Sequence, residues 1–457
     1  MDAIVTPEEM GAIDAAAPEP VEILIGRAGA AVAREALRML GGAYGKRVVV
    51  VAGKGNNGAD GREAARRLEG RGVRCTVIDA AHPPATLPPC DLVVDAAYGT
   101  GFRGDYRPPA MPSADVPVLA VDIPSGVSGL TGQVGGEPWR AARTITFAGW
   151  KPGLLVGPGA ELAGDVVVAD IGLDVSSAQA HLVDAAAVAD WIPARPRETH
   201  KWKAAVWVVA GSPGMGGSAH LATRAAQRGG AGYVRLSTPG AAEDPMAPTE
   251  AVFTELHADG WATEVLDDAE RFQAIAVGPG LGRGTGVDQQ VRRLIAGSTT
   301  AMVVDGDGLR ALGLDAGPVV ADRSNQAGPV VLTPHDGEFE ALAGHPPGPD
   351  RFASARELAS ATGAIVLLKG STTLVASPDG HVLASTSGDA RLATAGAGDV
   401  LTGLVAALMA AGLPGARAAA AAAHLHGRAG ALAWRRGLVA GDLVDHLPAA
   451  FAELPGG

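Results

Sequence analysis

Short apolar runs alternate with helix-like stretches over the first 175 residues. Apolar side chains recur every three to four positions within residues 10–42, which predicts helix. The later runs are rich in β-branched residues and are not interrupted by polar ones, as expected of strands buried on both faces of a parallel sheet. The predicted strands are 47–53, 73–80, 91–97 and 116–124, with a helix at 59–70. This order predicts an α/β domain with a Rossmann-like, doubly wound sheet.

The alternation stops between residues 184 and 203 and then starts again. A short alanine-rich helix is predicted to end at Trp191, and the following residues are dense in proline and charge. Such composition is typical of a boundary, so we predict one domain over 1–195 and a second over 196–457. The predicted strands of the second domain are 205–211, 233–239, 274–282, 301–309, 330–335, 364–370 and 372–377. Two tandem α/β domains are therefore expected.

The composition excludes several classes of protein. Of the 457 residues 47% are hydrophobic but only 4% are aromatic, so the cores must consist mainly of Val, Leu, Ile and Ala. The 37 Lys and Arg against 49 Asp and Glu leave a net charge of −12, which argues against non-specific binding of nucleic acid or of an anionic membrane. Cys75 and Cys90 belong to no zinc-ligand or disulfide pattern. We expect neither kind of site.

The sequence shows no pattern of a membrane span or a secretory signal. The residues at the N-terminus are acidic where a signal peptide would be basic and then apolar. The most apolar region, 401–423, is interrupted by glycine, proline and arginine, which indicates buried helices. We therefore expect a soluble, cytoplasmic protein. The apolar helices near 400–435 would serve as core or as the interface of a homo-oligomer.

A glycine-rich loop follows the first predicted strand. Gly53, Gly55 and Gly58 fit the G-x-G-x-x-G pattern, and Asp79 lies where a dinucleotide-binding domain carries its ribose-binding acid. A redox Rossmann domain is therefore one alternative. The loop also places Asn56, Asn57 and Asp60 at the start of a helix, which the close packing of a dinucleotide turn does not favour. Amide oxygens at these positions are suited to binding a substrate or a hard cation.

Three further polar loops are predicted at the ends of strands in the same sheet. They contain Asp95 with residues 99–105, then Asp122 and Ser125, and finally Lys151. The carboxyl ends of parallel strands meet at one edge of an open sheet, so Asn57, Asp95, Asp122 and Ser125 are expected to converge there. A set of oxygen ligands without His or Cys favours a hard cation over zinc.

The segments GKGNNGADG, VVDAAYGTGFRG and VDIPSG together resemble the N-terminal domain of the NAD(P)H-hydrate epimerase family. The resemblance implies that Asn57, Asp95 and Ser125 coordinate potassium. The chain departs from the family pattern at Ala59, where glycine is usual, but alanine is favourable inside the first turn of a helix. The residues implied to hold the hydrated dinucleotide are Asn56, Asn57, Gly58, Ala59, Asp60, Gly99, Thr100, Gly101, Phe102, Arg103, Gly104, Asp105 and Asp122.

A second glycine-rich turn, residues 394–403, precedes the apolar helices. Small residues at a helix start leave backbone N–H groups directed at an anion, and the helix dipole adds to their attraction. Asp399 in this turn is suited to accept a proton from a hydroxyl during phosphoryl transfer. Lys369 and the three hydroxyl residues that follow Gly370 are suited to binding nucleotide phosphates. Either feature alone is common, but the chain contains both.

The segments GAGD and KGSTT resemble the ribokinase-like superfamily, an α/β/α fold. With GSPGMGGSAHLA, GPGLG and TPHDGE they resemble its ADP-dependent NAD(P)H-hydrate dehydratase branch. Asp336 and Trp202 depart from this pattern, where proline and glycine are usual, and Asp336 would add negative charge near the phosphates. The resemblance implies that the hydrate is contacted by Ala219, Gly282, His335 and Asp399, and the nucleotide by Lys369, Gly370, Ser371, Thr372, Thr373 and Gly398.

Together the two resemblances imply a bifunctional cofactor-repair enzyme, an isomerase fused to a lyase. Its substrates would be the hydrates of NADH and NADPH (NADHX and NADPHX), with ADP and Mg²⁺ in the second domain and K⁺ in the first. Asp122 is the candidate acid/base of epimerisation, and Asp399 the candidate base of dehydration. The main alternative is a ribokinase-like kinase of a small alcohol or vitamin precursor, with a non-catalytic N-terminal binding module.

Overall fold

The computed structural model describes residues 1–456 and divides into two compact units. The N-terminal unit comprises Asp2–Ala180; the C-terminal unit runs from His181 onward and includes Met1. The predicted boundary at residue 195 lies later in the chain. The difference arises because Val183 and Val188 are buried in the core of the C-terminal unit, and the Val183 N–H donates to the Ala384 carbonyl (2.9 Å).

The N-terminal unit has the predicted doubly wound sheet. All its neighbouring strands are parallel, in the order β3-β2-β4-β5-β6-β7. Its elements are β1 (Asp2–Ile4), α1 (Pro7–Ala16), α2 (Val21–Leu40), β2 (Arg47–Ala52), α3 (Asn56–Glu69), β3 (Arg74–Asp79), β4 (Leu92–Ala96), β5 (Val118–Val121), β6 (Arg143–Phe147), α4 (Gly157–Leu162) and β7 (Asp165–Ala169).

Two helix predictions in this unit need correction. The stretch 10–42 forms two helices rather than one, because Pro18 and Pro20 separate α1 from α2. The helix predicted from residue 59 begins at Asn56, so both asparagines lie in its first turn, where the Ala59 N–H donates to the Gly55 carbonyl (3.1 Å).

The C-terminal unit has a larger sheet between layers of helices. Its strands follow the order β8-β17-β16-β15-β14-β13-β12-β9-β10-β11, parallel from β11 to β15 and antiparallel from β15 to β17. Its elements are β8 (Ala180–Leu182), α5 (Ala185–Trp191), β9 (Ala205–Val209), α6 (Gly216–Arg228), β10 (Tyr233–Ser237), β11 (Val252–Phe253), α7 (Trp261–Asp268), β12 (Ala274–Val277), α8 (Thr285–Gly297), β13 (Ala301–Val304), α9 (Asp307–Leu312), α10 (Ala316–Ala321), β14 (Val330–Leu332), α11 (Asp336–Ala343), α12 (Arg351–Thr362), β15 (Ile365–Leu368), β16 (Thr373–Ala376), β17 (Val382–Ser385), α13 (Ala397–Ala410), α14 (Gly415–Leu432) and α15 (Ala440–Ala452).

The apolar region near 400–432 forms α13 and α14, which are almost wholly buried within the C-terminal unit. Their alanines pack with Val206 and Val208 of β9 and with Ala274 and Ala276 of β12 in one core. These helices are therefore core elements. Across residues 1–456, no helix combines the length and the apolar character that crossing a membrane requires.

Candidate functional site

A cavity of about 940 Å³ opens at the carboxyl edge of the N-terminal sheet. The loops after β2, β4, β5 and β6 meet there, as expected of an open parallel sheet. Apolar side chains of α2 and of the segment after β7 form one wall, among them Leu24 and Leu173, and the loops supply the polar lining.

The start of α3 is held against the end of β2 by close backbone packing. A Cβ added to Gly58 would lie 1.9 Å from the Gly53 carbonyl oxygen, so this position admits only glycine. Ala59 has an ordinary helical backbone, since the positive φ angles outside glycine are confined to Asp122 and Ala148 over the described residues. The departure at Ala59 therefore causes no backbone strain.

Asp122 adopts a left-handed backbone conformation (φ 65°) at the end of β5. Its Oδ1 accepts a hydrogen bond from the Thr146 hydroxyl (3.0 Å) and pairs with Lys151 Nζ (3.2 Å). Lys151 is fully buried, and its ammonium also donates to Thr146 and to the carbonyls of Phe147 and Gly149 (2.9–3.0 Å). A strained backbone and a fully bonded buried lysine thus fix the Asp122 carboxylate at the cavity wall.

Three more carboxyls line the same cavity: Asp14 on α1, Asp60 on α3, and Glu19. Burial, followed by the negative charges of Asp122 and Asp14, raises the pKa of Asp60 to about 8. Burial also raises the pKa of Asp14, with Asp122 adding to the rise and Lys151 opposing it. Asp60 therefore holds a proton at neutral pH.

A buried polar cluster lies beside the cavity. Asp95 is fully buried and accepts hydrogen bonds from the Ser125 hydroxyl (2.6 Å) and the Ser125 N–H (2.9 Å). Burial nevertheless raises the pKa of Asp95 above its usual range. Both polar atoms of the Asn57 side chain are buried and have no hydrogen-bond partner. The unpaired buried amide oxygen of Asn57 and the buried carboxylate of Asp95 are oxygen atoms of the kind that a hard cation binds.

The cavity contains most, but not all, of the residues that the sequence predicted for dinucleotide binding. Gly58 packs inside the β2–α3 turn, and Ala59, Gly104 and Asp105 also lie outside the cavity wall. Asp79, the ribose acid of the redox alternative, is not among the described lining residues either, and binds its own loop at the Ala81 N–H (3.0 Å). The predicted residues that line the cavity are Asn56, Asn57, Asp60, Gly99, Thr100, Gly101, Phe102, Arg103 and Asp122.

In the C-terminal unit, the turn predicted to bind phosphate is the first turn of α13. Gly396 precedes the helix with φ 91°, a conformation that favours glycine and directs the following N–H groups outward. Asp399 lies in this turn and accepts a hydrogen bond from Ser218 at the start of α6. Burial raises the pKa of Asp399 to about 6, with Asp305 and Glu338 contributing and Ser218 and Lys369 opposing.

Lys369 lies beside this turn and is held by a buried carboxylate that sequence analysis did not single out. Asp305, after β13, accepts hydrogen bonds from Lys369 Nζ (2.7 Å), the Thr333 hydroxyl (2.8 Å) and the Thr402 hydroxyl (2.8 Å). Burial disfavours both charges, but their mutual attraction prevails: it raises the pKa of Lys369 and lowers that of Asp305. A Cβ on Gly398 would lie 3.3 Å from Lys369 Nζ, so the ammonium adjoins the helix start.

His335 caps α11 and is connected to the same cluster. Its Nδ1 accepts a hydrogen bond from the Gly337 N–H (3.0 Å), and its backbone N–H donates to the Glu338 carboxylate (2.9 Å). That carboxylate lies 3.6 Å from Lys369 Nζ. The structure also explains Asp336: it forms a two-point ion pair with Arg351 (2.8 and 3.0 Å). The extra negative charge expected near the phosphates is therefore balanced.

The remaining predicted residues of this unit lie in the loop after β12, in α6, and in the turn from β15 to β16. Gly282 donates its N–H to Asp307 (2.9 Å) and adjoins Ser212, whose hydroxyl bonds the Gly280 carbonyl (2.9 Å). Ala219 is buried directly after Ser218. Beyond Lys369, the loop predicted to bind the nucleotide comprises Gly370, Ser371 and Thr372, and Thr373 begins β16.

Trp202, the other departure from the family pattern, lies outside this cluster. Its ring stacks on Tyr233 (4.2 Å between centroids) and packs edge-on against Phe272, with the Arg271 guanidinium 4.7 Å from the ring centre. It is part of a packing cluster near β10. Its position therefore indicates a structural contribution.

Comparison with known proteins agrees with both halves of this description. Residues 206–451 match the NAD(P)H-hydrate dehydratase family, and residues 21–85 and 78–153 match the YjeF-related protein N-terminus. The chain is 35% identical to a bifunctional NAD(P)H-hydrate repair enzyme of Moorella thermoacetica, over 99% of this chain and 97% of the relative. It is 38% identical to the enzyme of that name from Mycobacterium leprae, over 90% of each chain.

A solved structure resembles the C-terminal unit. It is the ADP/ATP-dependent NAD(P)H-hydrate dehydratase of Bacillus subtilis, co-crystallised with ATP and Mg²⁺. The likeness has a TM-score of 0.51 and 29% identity, and covers 59% of this chain and 96% of that one. With relatives aligned over nearly their full length and both domain families present in order, this chain belongs to the family of bifunctional NAD(P)H-hydrate repair enzymes.

Proposed function

We propose that the N-terminal unit interconverts the R and S hydrates of NADH and NADPH, and that the C-terminal unit dehydrates the S hydrate at the expense of ADP, giving AMP and phosphate. The observation that carries this proposal is the presence of two separate acid/base sites: Asp122 with Lys151 at one cavity, and Asp399 beside Lys369 at a helix start. Family membership supports the pairing of these two activities in one chain.

In the dehydratase, Asp399 removes the proton of the substrate hydroxyl as that oxygen attacks the terminal phosphoryl group of ADP. The N–H groups at the start of α13 and the Lys369 ammonium stabilise the charge on the phosphoryl oxygens. The ring nitrogen's lone pair then expels phosphate and leaves an iminium carbon. Loss of a proton from the adjacent ring carbon to solvent restores the carbon–carbon double bond and with it the reduced nicotinamide. A pKa of about 6 suits this task, because Asp399 is ionised at neutral pH yet remains a stronger base than an ordinary aspartate.

Mg²⁺ would accompany the nucleotide, as in the Bacillus subtilis enzyme that was co-crystallised with ATP and Mg²⁺. It would balance phosphate charge among the carboxylates near Lys369. Lys369, Gly370, Ser371, Thr372, Thr373 and Gly398 are the residues that we assign to the nucleotide, and Ala219, Gly282, His335 and Asp399 those that we assign to the hydrate.

In the epimerase, Asn57, Asp95 and Ser125 would hold K⁺ through their oxygen atoms. The bound ion would compensate the buried Asp95 charge and brace the loop that follows β4. Replacing choline chloride by KCl should then raise the melting temperature of the N-terminal unit in the wild type. The same exchange of salts should have little effect on Asp95→Asn.

The small-alcohol kinase is the alternative from another class, and the products distinguish the two. We would incubate the purified protein with S hydrate, ADP and Mg²⁺ and follow the products by ³¹P NMR. The proposal requires AMP, inorganic phosphate and recovered NADH in equal amounts; a stable phosphorylated alcohol would support the kinase. A scaffold module would have no use for the strained Asp122 and buried Lys151.

We also propose that the protein is cytoplasmic and forms a homo-oligomer. Light scattering of the purified protein tests the oligomeric state.

A further inference from the structure

The epimerase cavity contains a buried carboxyl that has no structural function. Asp60 is only 7% exposed, and no donor in the described part of the chain bonds its carboxyl. It is the fifth residue of α3, beyond the positions whose side chains cap a helix. Burying an unbonded carboxyl is costly, so alanine at this position would give a more stable protein. The cost points to a role in the cavity.

Asp60 and Asp122 occupy contrasting surroundings. Asp122 accepts a hydrogen bond from the Thr146 hydroxyl and pairs with the Lys151 ammonium. Asp60 faces only negative neighbours: Asp122 after β5 and Asp14 on α1. The other charged groups of the lining are Lys54, Arg103 and Glu19. One carboxyl that is paired with an ammonium and one that faces only other carboxyls, in a single cavity, are a common arrangement of an enzymatic base and acid.

We propose that Asp60 is the general acid of epimerisation and Asp122 its general base. The inference rests on the assignment of this cavity to the epimerase. Asp60 is the partner that carries the proton at neutral pH, consistent with its pKa of about 8. Its role therefore goes beyond contact with the dinucleotide.

The proposed step conserves atoms and charge. The Asp60 carboxyl donates its proton to the hydroxyl oxygen of the hydrate as the C–O bond breaks and water departs. The lone pair of the ring nitrogen forms a C=N bond, leaving a planar iminium carbon. A water molecule then adds to the opposite face, and Asp122 takes its proton. In the reverse epimerisation, Asp122 carries the proton at the start and Asp60 is ionised. Proton exchange with solvent returns both carboxyls to their starting protonation states after each turnover.

The test measures epimerisation alone, in the full chain without ADP, from R hydrate to S hydrate by chromatography. Asp60→Asn keeps the shape of the side chain and removes the proton donor. We expect its kcat to fall about 10²- to 10⁴-fold with KM changed less than about threefold, as for loss of a general acid. Asp79→Asn, an exposed carboxyl outside the cavity, is the matched control and should retain wild-type kinetics.

The pH profile gives a second readout that a binding role would not change. In the wild type, kcat should decline as pH rises past the Asp60 titration near pH 8; in Asp60→Asn this decline should disappear. A raised KM with unchanged kcat, or a decline that persists in the variant, would overturn the proposal. If Asp122→Asn abolishes epimerisation but Asp60→Asn does not, only the role of Asp60 is wrong. If neither affects it, the assignment of the cavity itself is wrong.

Discussion

The Asp305–Lys369 pair allows a quantitative test of the dehydratase unit. Asp305→Ala leaves the Lys369 ammonium without its closest partner. Losing one member of a buried ion pair costs about 3–5 kcal/mol. Lys369 is 21% exposed and keeps Glu338 at 3.6 Å, which favours the lower end. Thr333 and Thr402 retain the carbonyls of Val304 and Gly398 as acceptors, so they add little. We expect a loss of about 3 kcal/mol.

The assay is peptide-resolved hydrogen exchange, since it reports the stability of one unit within the full chain. A loss of about 3 kcal/mol corresponds to roughly a hundredfold faster exchange of the most protected amides in β13. The matched control is Asp389→Ala, which breaks an exposed pair with Arg391 and should cost about 0–1 kcal/mol. Exchange in β13 of Asp305→Ala within about threefold of the wild type would refute the reasoning, because the pair would then contribute no net stability.

Three further predictions follow from particular residues. Gly58→Ala should unfold the N-terminal unit by circular dichroism at temperatures where Gly55→Ala stays folded, since a Cβ has space at Gly55 but would lie 1.9 Å from the Gly53 oxygen at Gly58. Asp60→Asn should raise the free energy of unfolding of the N-terminal unit, measured in urea at pH 7, by about 2–4 kcal/mol. The Asp60 pKa of about 8 in the folded state against 3.8 in the unfolded state destabilises the wild type above pH 4, and this penalty disappears as the pH falls towards 4. Equal stability of variant and wild type at pH 7 would contradict the burial argument. The kcat of dehydration should fall tenfold per pH unit below the Asp399 pKa of about 6, and Asp399→Asn should lower it about 10²- to 10⁴-fold at pH 7.5; a flat profile would exclude Asp399 as the base.

The sequence pattern was sufficient to predict the two sheets because their strands are buried on both faces. Runs such as 47–53 and 205–211 have no polar interruption, and they form β2 and β9 in their sheets. Several short strands were missed: β1, β8 and β11 have only two or three residues, too few for a recognisable pattern, and β17 is antiparallel at the β16 edge. The boundary differed because the residues after Ala180 pack on the C-terminal core, a tertiary contact with no local signal.

The loops that carry the two sites were predictable from their motifs, but the supporting residues were not. Asp305, Lys151 and Asp14 are single charged residues, and their significance depends on burial and on partners distant in sequence. Glu338 and Ser218 belong to the motifs TPHDGE and GSPGMGGSAHLA, but nothing in the sequence indicated a role for either of them. Gly58 and Asp105 show the converse: a motif residue adjoins a site without reaching it.

The most direct test of bifunctional repair supplies a mixture of both epimers of hydrated NADH, with ADP and Mg²⁺, and follows the recovery of reduced-nicotinamide absorbance. The wild type should recover all of the cofactor. Asp122→Asn should stall with the R epimer left over, and Asp399→Asn should recover nothing. Equal recovery from both epimers by Asp122→Asn, or no recovery by the wild type with either ADP or ATP, would contradict the account.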